Sequence, residues 1–472
     1  MGTISDKLMR IINTKEDIRQ ALISKGYDVP TSIPFKEYAK MISDLPCRVD
    51  SFPDIEGIVA RYSALGLTNE QMAANPVWVD KTGNGHDLQM KNFAWKEGSG
   101  ISDIYPGALV FDGVDDWAGC DNLPLLPKEK GYSIIALRNW ITRYDATQYK
   151  RPLILNLDTN DEGAFLIEYR KDENVNDVTG SYNSFTDVYI DDNNPITWQT
   201  SSSYNGQIIK KGTSKSTNKL CICKTYFGQL SNYANAAIWE LIILDHDATE
   251  EELTKIKDYF VKTYPWLFPD QAWTVTGKTN EDEDRATIAN ITGNSNDLVL
   301  SNFGFVEGSG YNEEGEYAGY LVTDGVDDKV VSAESIAFTD TWTIITDTVF
   351  LGKVSVASGI LASNIFTVYN YQGSGTIAVT MGEGGSSLRV ITSSIKAFSS
   401  DGTIYDAEWN EYHVEIGTIR ALERLLKIGT SSNETSYFCQ LAFKFLGIYN
   451  NQILSKDDCI KAYNYLQTLK AK

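Results

Sequence analysis

Short apolar runs of strand length, separated by turn residues, dominate the chain. Leu109-Val110-Phe111, Tyr132 to Leu137, Pro152 to Leu155 and Ala164 to Ile167 are such runs in the first half. Thr341 to Ile345, Ile365 to Tyr369 and Thr376 to Thr380 follow in the second. Runs of this length bounded by Gly, Asn and Asp predict strands, and many in succession predict a two-sheet sandwich or jelly roll. Helical spacing occurs at the start. Ile4, Leu8, Ile11 and Ile12 share a face, and Thr14 with Asp17 resembles a capping box opening a helix that stops at Gly26. A second short helix carries Phe35, Tyr38 and Ile42 on one face and ends before Pro46. A unit of that size, residues 1–47, buries too little to stand alone. It packs on the first lobe, docks on a partner, or docks on its own copies.

The runs belong to a repeat. Residues 83–100, from Gly83-Asn84-Gly85-His86-Asp87-Leu88 to Glu97-Gly98-Ser99-Gly100, return as residues 293–310, identical at 10 of 18 positions. Asp112-Gly113-Val114-Asp115-Asp116 returns intact as Asp324-Gly325-Val326-Asp327-Asp328. Its Asp-Gly predicts a hairpin turn, because Gly accepts positive φ without steric cost. At the far ends, Trp239 to Leu244 and Phe445 to Asn450 are apolar strands. Each precedes a Thr or Ser, Thr249 or Ser455, placed to cap an acid-rich first helical turn. In this alignment Glu240 corresponds to Leu446. The duplication predicts two domains, residues 54–268 and 269–472. Their join, Tyr264-Pro265-Trp266-Leu267-Phe268-Pro269, is stiff and apolar, so the lobes pack together or are held at a fixed angle.

Composition narrows the partners. Of 472 residues, 42 are basic and 63 acidic, a net charge of −21 that repels phosphate backbones and anionic lipid. Nucleic acid and membrane surfaces are therefore excluded as partners. No window offers about 20 uninterrupted apolar residues, and no basic stretch followed by an apolar run marks a secretory signal. The six cysteines form no CxxC pair and read as buried free thiols, with Cys221 and Cys223 two apart on one face of a strand. His86, His246 and His413 have no zinc-ligand spacing.

Candidate chemistry is sparse. Asp115, Asp116, Asp327 and Asp328 offer oxygen ligands that suit Ca2+, although Asp at a turn also serves backbone hydrogen bonding alone. Tyr182, Tyr189, Trp198 and Tyr204, in a stretch rich in Ser, Asn and Asp, are candidates for stacking on sugar rings. Each reads equally as a core aromatic. Beyond the calcium candidate no cofactor is implied.

The repeated Gly-Asn-x-x-Asp-Leu stretch, the Leu109-to-Asp116 turn and the closing strand-turn-helix from Leu244 to Tyr259 resemble the concanavalin A-like lectin/glucanase (laminin G-like) family, in two copies over about residues 54–472. The resemblance implies tandem jelly-roll sandwiches with lectin-like, carbohydrate-binding surfaces. Glucanases of the family carry a Glu-x-Asp-x-(x)-Glu strand whose carboxylates stand about 5 Å apart. This chain has no such run: Glu240 stands alone, and Glu411 and Glu415 flank Tyr412-His413 without a central Asp. The expectation is a protein that is not an enzyme. Lys15 to Gly26, followed by Pro34 to Ala39, resembles the helical segment that opens tail-fibre and structural proteins of tailed phages, the crAss-like group included. That likeness implies a virion component, a fibre or surface-decoration protein made in the host cytoplasm. It would contact other virion proteins through the N-terminal helices, attach to host-surface glycan, and form homo-oligomers, trimers among them. A purely architectural virion module and a secreted glycan hydrolase are the alternatives.

Overall fold

The computed structural model describes Lys15, Arg19 and residues 52–126, 132–141, 151–157, 163–169, 196–200, 218–224, 233–293, 295–352, 358–363, 366–370, 377–381, 387–390, 394–417, 423–430 and 438–471. Lys15 and Arg19 are helical; the rest of the predicted N-terminal helices lies outside the described residues. Residues 55–472 form one compact unit.

The protein is mainly β, and every described strand pairing is antiparallel. Among the described residues, strands between Ile58 and Leu244 build two six-stranded sheets, and those between Gln271 and Asn450 build two of eight and a two-stranded sheet pairing Ile336–Ala337 with Glu423–Arg424. In each lobe the inner faces of the two sheets share one core. Leu109, Phe111, Ile134 and Ile238 meet Leu88, Met90, Leu220 and Ile222 in the first. Tyr311, Ile344, Phe398 and Phe443 meet Leu298, Val330, Val368 and Val379 in the second. These are sandwiches of the jelly-roll type. Strand Leu298–Ser301 alternates as a half-buried strand should, with Leu298 and Leu300 in and Val299 out. Strands Ser133–Trp140 and Asn235–Leu244 do not alternate, because both of their faces are covered.

Three α-helices are described: α1 (Asn69–Ala74), α2 (Glu250–Thr263) and α3 (Lys456–Thr468). Thr249 caps α2 through a full capping box with Glu252, and the Ser455 hydroxyl accepts from the Asp458 N–H at the start of α3. No helix among the described residues is long and apolar enough to cross a membrane.

The repeat extends to individual hydrogen bonds. The Asn69 side chain both donates to Ile101 O and accepts from Ile101 N, as Asn280 does with Tyr311. The Asp87 carboxylate accepts from Asp80 N as Asp297 does from Asn290 N. Long strands Asn235–Leu244 and Leu441–Asn450 carry a bulge at the same place, at Trp239 and at Lys444. With Ile238 matching Phe443 across the shared neighbours Leu109 and Leu321, that register aligns Glu240 with Phe445. The sequence alignment to Leu446 is therefore one residue out.

The lobes are joined by packed side chains. The join contains a 3-10 turn, Pro265–Leu267, with Trp266 and Leu267 buried. The buried Tyr449 hydroxyl donates to Trp266 O at 2.9 Å, and Lys461 Nζ sits 4.5 Å from the Trp266 ring centroid. Tyr465 of α3 meets Trp239 of the first lobe edge-on, and Asn464 Nδ2 donates to Asp103 O at 3.1 Å.

Two readings of the cysteines change. Leu220, Ile222 and Cys223 all belong to the first core, whereas Cys221, also buried, does not. Cys223 has a left-handed backbone (φ 59°), which breaks the strand alternation and separates the two thiols that spacing put on one face. Cys120 is half-buried, not buried.

Candidate functional site

The repeated Asp-Gly-Val-Asp-Asp segment is not a hairpin. Leu109–Asp112 pairs in one sheet of the first lobe and Trp117–Cys120 in the other, so the five residues arch across the edge of the sandwich. Tyr320–Val322 and Lys329–Ser332 do the same in the second lobe. The turn chemistry is as expected, since Gly113 and Gly325 both have φ near 75°. Each also lies against the long strand: a Cβ on Gly113 would come 2.7 Å from Asn235 Cβ, and one on Gly325 2.9 Å from Gln440 N. Long-range pairing, not the turn, decides which sheet the next strand joins.

The first acid of each arch, absent from the predicted ligand set, organises it. Asp112 Oδ1 accepts from the backbone N–H of Val114, Asp115 and Asp116, and Asp324 Oδ1 from Val326, Asp327 and Asp328. In return Asp116 Oδ2 accepts from Asp112 N at 3.1 Å, and Asp328 Oδ2 from Asp324 N at 2.8 Å. Asn92 and Asn302 brace the arches by donating to Asp115 O and Asp327 O. One oxygen from each of Asp112, Asp115 and Asp116 lies within 4.8 Å of the others, and the same holds for Asp324, Asp327 and Asp328. Asp115 and Asp327 are exposed, while Asp116 and Asp328 are completely buried. Burial pushes both buried carboxyls up to about 6, because removing a carboxylate from water disfavours its charged form. Hydrogen bonds from the Ser99 and Ser309 side chains to the Asp116 and Asp328 carboxyls oppose that shift. Such sets of acidic oxygens are the donors that Ca2+ takes.

Of the predicted sugar-stacking residues, Tyr182, Tyr189 and Tyr204 lie outside the described residues. Trp198 lies in strand Ile196–Thr200, which ends its sheet among the described residues, in register with Ile135.

Glu240 does not stand alone. It is fully buried and receives Arg61 at both oxygens, Nε to Oε2 at 3.1 Å and Nη2 to Oε1 at 3.2 Å. The Tyr259 and Tyr264 hydroxyls each donate to Oε1 at 2.8 Å. Nothing in the sequence pointed to Arg61, which lies 179 positions away. A carboxylate so enclosed fastens α2 to its sheet. Glu411 lies at the surface, with His413 Nε2 3.1 Å from Oε1 and the Tyr405 hydroxyl donating to Oε2.

No family model matches the chain, and no curated protein sequence does. Among solved structures, Trypanosoma rangeli sialidase aligns at TM-score 0.29 and 9% identity over 50% of this chain and 42% of its own. The same sialidase in complex with the inhibitor DANA aligns at TM-score 0.32 and 9% identity, over 48% and 40%. The chain thus spans about two-fifths of the length of these sialidases. The botulinum neurotoxin serotype D binding domain aligns at TM-score 0.32 and 9% identity, over 84% of this chain and 98% of that one. At such scores and identities the likenesses carry no argument about this chain. What its own sheets define is a two-lobed β-sandwich protein.

Proposed function

We propose that the chain is a non-enzymatic binding protein of a bacteriophage particle, a fibre or surface-decoration component whose lectin-like lobes hold host-surface glycan. In this reading the N-terminal helices join it to other virion proteins or to its own copies. The virion part rests on the sequence likeness of residues 15–39 to phage structural proteins.

The observation that carries the binding reading is the coupling of two like sandwiches through Trp239, Tyr465 and the Asn464 to Asp103 hydrogen bond. A fixed pair of similar surfaces suits multivalent attachment, because the second contact is made at high effective concentration. Enclosure of Glu240 under Arg61, Tyr259 and Tyr264 removes the carboxylate that a glycan hydrolase on this scaffold would have drawn on.

The full chain is tested on a glycan array and on host cells. Retention of a defined glycan supports attachment, and failure to bind any glycan or cell leaves the architectural role instead. Release of reducing sugar that one Glu substitution abolishes would show the protein to be a hydrolase. Deleting residues 1–47 is expected to abolish incorporation or oligomerisation while both lobes stay folded; normal assembly of the shortened chain refutes the docking role.

A further inference from the structure

We infer that Asn84 is a site of spontaneous covalent modification, turning into aspartate and isoaspartate through a cyclic imide closed with Gly85. Asparagine is one of the chemically labile side chains. Its loss of ammonia requires the backbone nitrogen of the next residue to reach its side-chain carbon, and glycine, lacking a Cβ, obstructs that approach least. The loop meets these conditions. Asn84 and Gly85 are both exposed, and Gly83 and Gly85 flank the reacting atoms at φ 79° and 81°. A Cβ on either glycine would find nothing within 4 Å. Gly85 O accepts from Asn122 Nδ2 at 2.9 Å, whereas the Gly85 N–H and Asn84 Oδ1 make no hydrogen bond among the described residues. The second lobe differs at one decisive atom. There Ser295 follows Asn294, and its side chain hinders ring closure. The other Asn-Gly pair, Asn205-Gly206, lies outside the described residues.

The chemistry needs only water. Gly85 N gives its proton to hydroxide and attacks Asn84 Cγ; the new C–N bond forms, the Cγ–Nδ2 bond breaks, and Nδ2 leaves as ammonia with a proton from water. Water then opens the imide. Addition at Cγ restores the main chain and leaves Asp, while addition at the Asn84 main-chain carbonyl sends the chain through Cγ and leaves isoaspartate. Nothing is oxidised or reduced. The change has a structural consequence, because the departing nitrogen is an anchor. Asn84 Nδ2 donates to Val59 O at 3.0 Å and, more weakly, to Ile58 O at 3.4 Å. Both belong to strand Ile58–Ser63, at the irregular step of its pairing with Asn235–Leu244. A carboxylate in that place donates nothing and sets a charged oxygen against two carbonyls, so the loop loses its hold on the strand. The modification rests on neither glycan nor virion.

The test is to age the folded full chain for weeks at mildly alkaline pH, digest it with trypsin and weigh the fragments. The peptide Thr82 to Lys91, released by cleavage after Lys81 and Lys91, is expected to gain the mass difference between an amide and an acid. It should also split into two chromatographic peaks, one for each product, at a rate that rises with hydroxide concentration. Asn84→Gln, whose longer side chain closes the ring far less readily, should keep its mass. A gain of mass in that variant would place the reaction at Gln89, the other amide of the peptide, and overturn the inference. An unchanged peptide from the aged folded chain overturns it as well, whether or not a chain held in denaturant gains the mass. Fresh Asn84→Asp should unfold at a lower Tm than fresh wild type, and an equal Tm refutes the anchoring role of Asn84.

Discussion

The two lobes fasten equivalent helices to equivalent sheets by opposite means. In the first, α2 is held by a buried ion pair: Arg61, itself 5% exposed, forks onto Glu240, and Tyr259 of the helix bonds to both. In the second, the position of Glu240 is taken by Phe445, whose ring packs on Tyr463 of α3 at 5.1 Å. There the helix comes close enough that a Cβ on Gly447 would stand 2.8 Å from a Leu466 methyl. One fold thus accepts either a polar clamp or an apolar contact at the same site. The apolar one lets backbone and helix approach; the polar one demands every partner at once, because a buried charge is tolerable only when fully paired.

The strongest way to break the comparison is to remove one half of the clamp. Glu240→Ala leaves the Arg61 guanidinium buried and unpaired, and is expected to cost about 3–5 kcal/mol of first-lobe stability. Copying the second lobe, with Glu240→Phe and Arg61→Ala together, should cost clearly less. Denaturant unfolding of the full chain, followed by a probe in each lobe, measures both. A double variant as unstable as the single one would mean the clamp is more than an anchor.

The reciprocal change is Gly447→Ile, which gives the second lobe the residue that the first has at Ile242. The added branch meets Leu466 and must push α3 outward, for an expected loss of about 1–3 kcal/mol. The same measurement reads it, and no loss would show that the helix has room to move.

The smallest effect sharpens the comparison by pH. His246 lies before α2, with Nδ1 3.2 Å from Asp245 and Nε2 3.1 Å from Glu252 of the capping box. Burial pulls its pKa down, but the hydrogen bonds and charges of Asp245 and Glu252 outweigh it, and the folded value lies above the usual 6.5. A raised folded value means the charged form is favoured by folding. The stabilisation is fully present below pH 6.5 and is lost as pH rises through the folded pKa. The Tm difference between wild type and His246→Asn should accordingly be present below pH 6.5 and shrink as the pH rises above it. A difference independent of pH would assign His246 a packing role only.

Much was legible along the chain because it is local chemistry. The strand runs, the Thr249 and Ser455 caps, and Gly113 and Gly325 at positive φ all follow from residues within a few positions of one another. The candidate site was half legible: Asp115, Asp116, Asp327 and Asp328 stood out, but Asp112 and Asp324 were missed, since only the folded turn reveals which acid collects the N–H donors.

Sequence by itself determined a doubled, mainly β chain with its turns and helix starts in place, for a repeat needs no knowledge of contacts to be seen. Tertiary structure alone decided three things. It sent the arches across the sandwich, brought Arg61 to Glu240 over 179 positions, and buried the Asp116 and Asp328 carboxyls completely. The physical reason is common to all three: which strand pairs with which, and whether a buried charge finds its donors, is set by groups far apart in the chain that meet only when the sheets close.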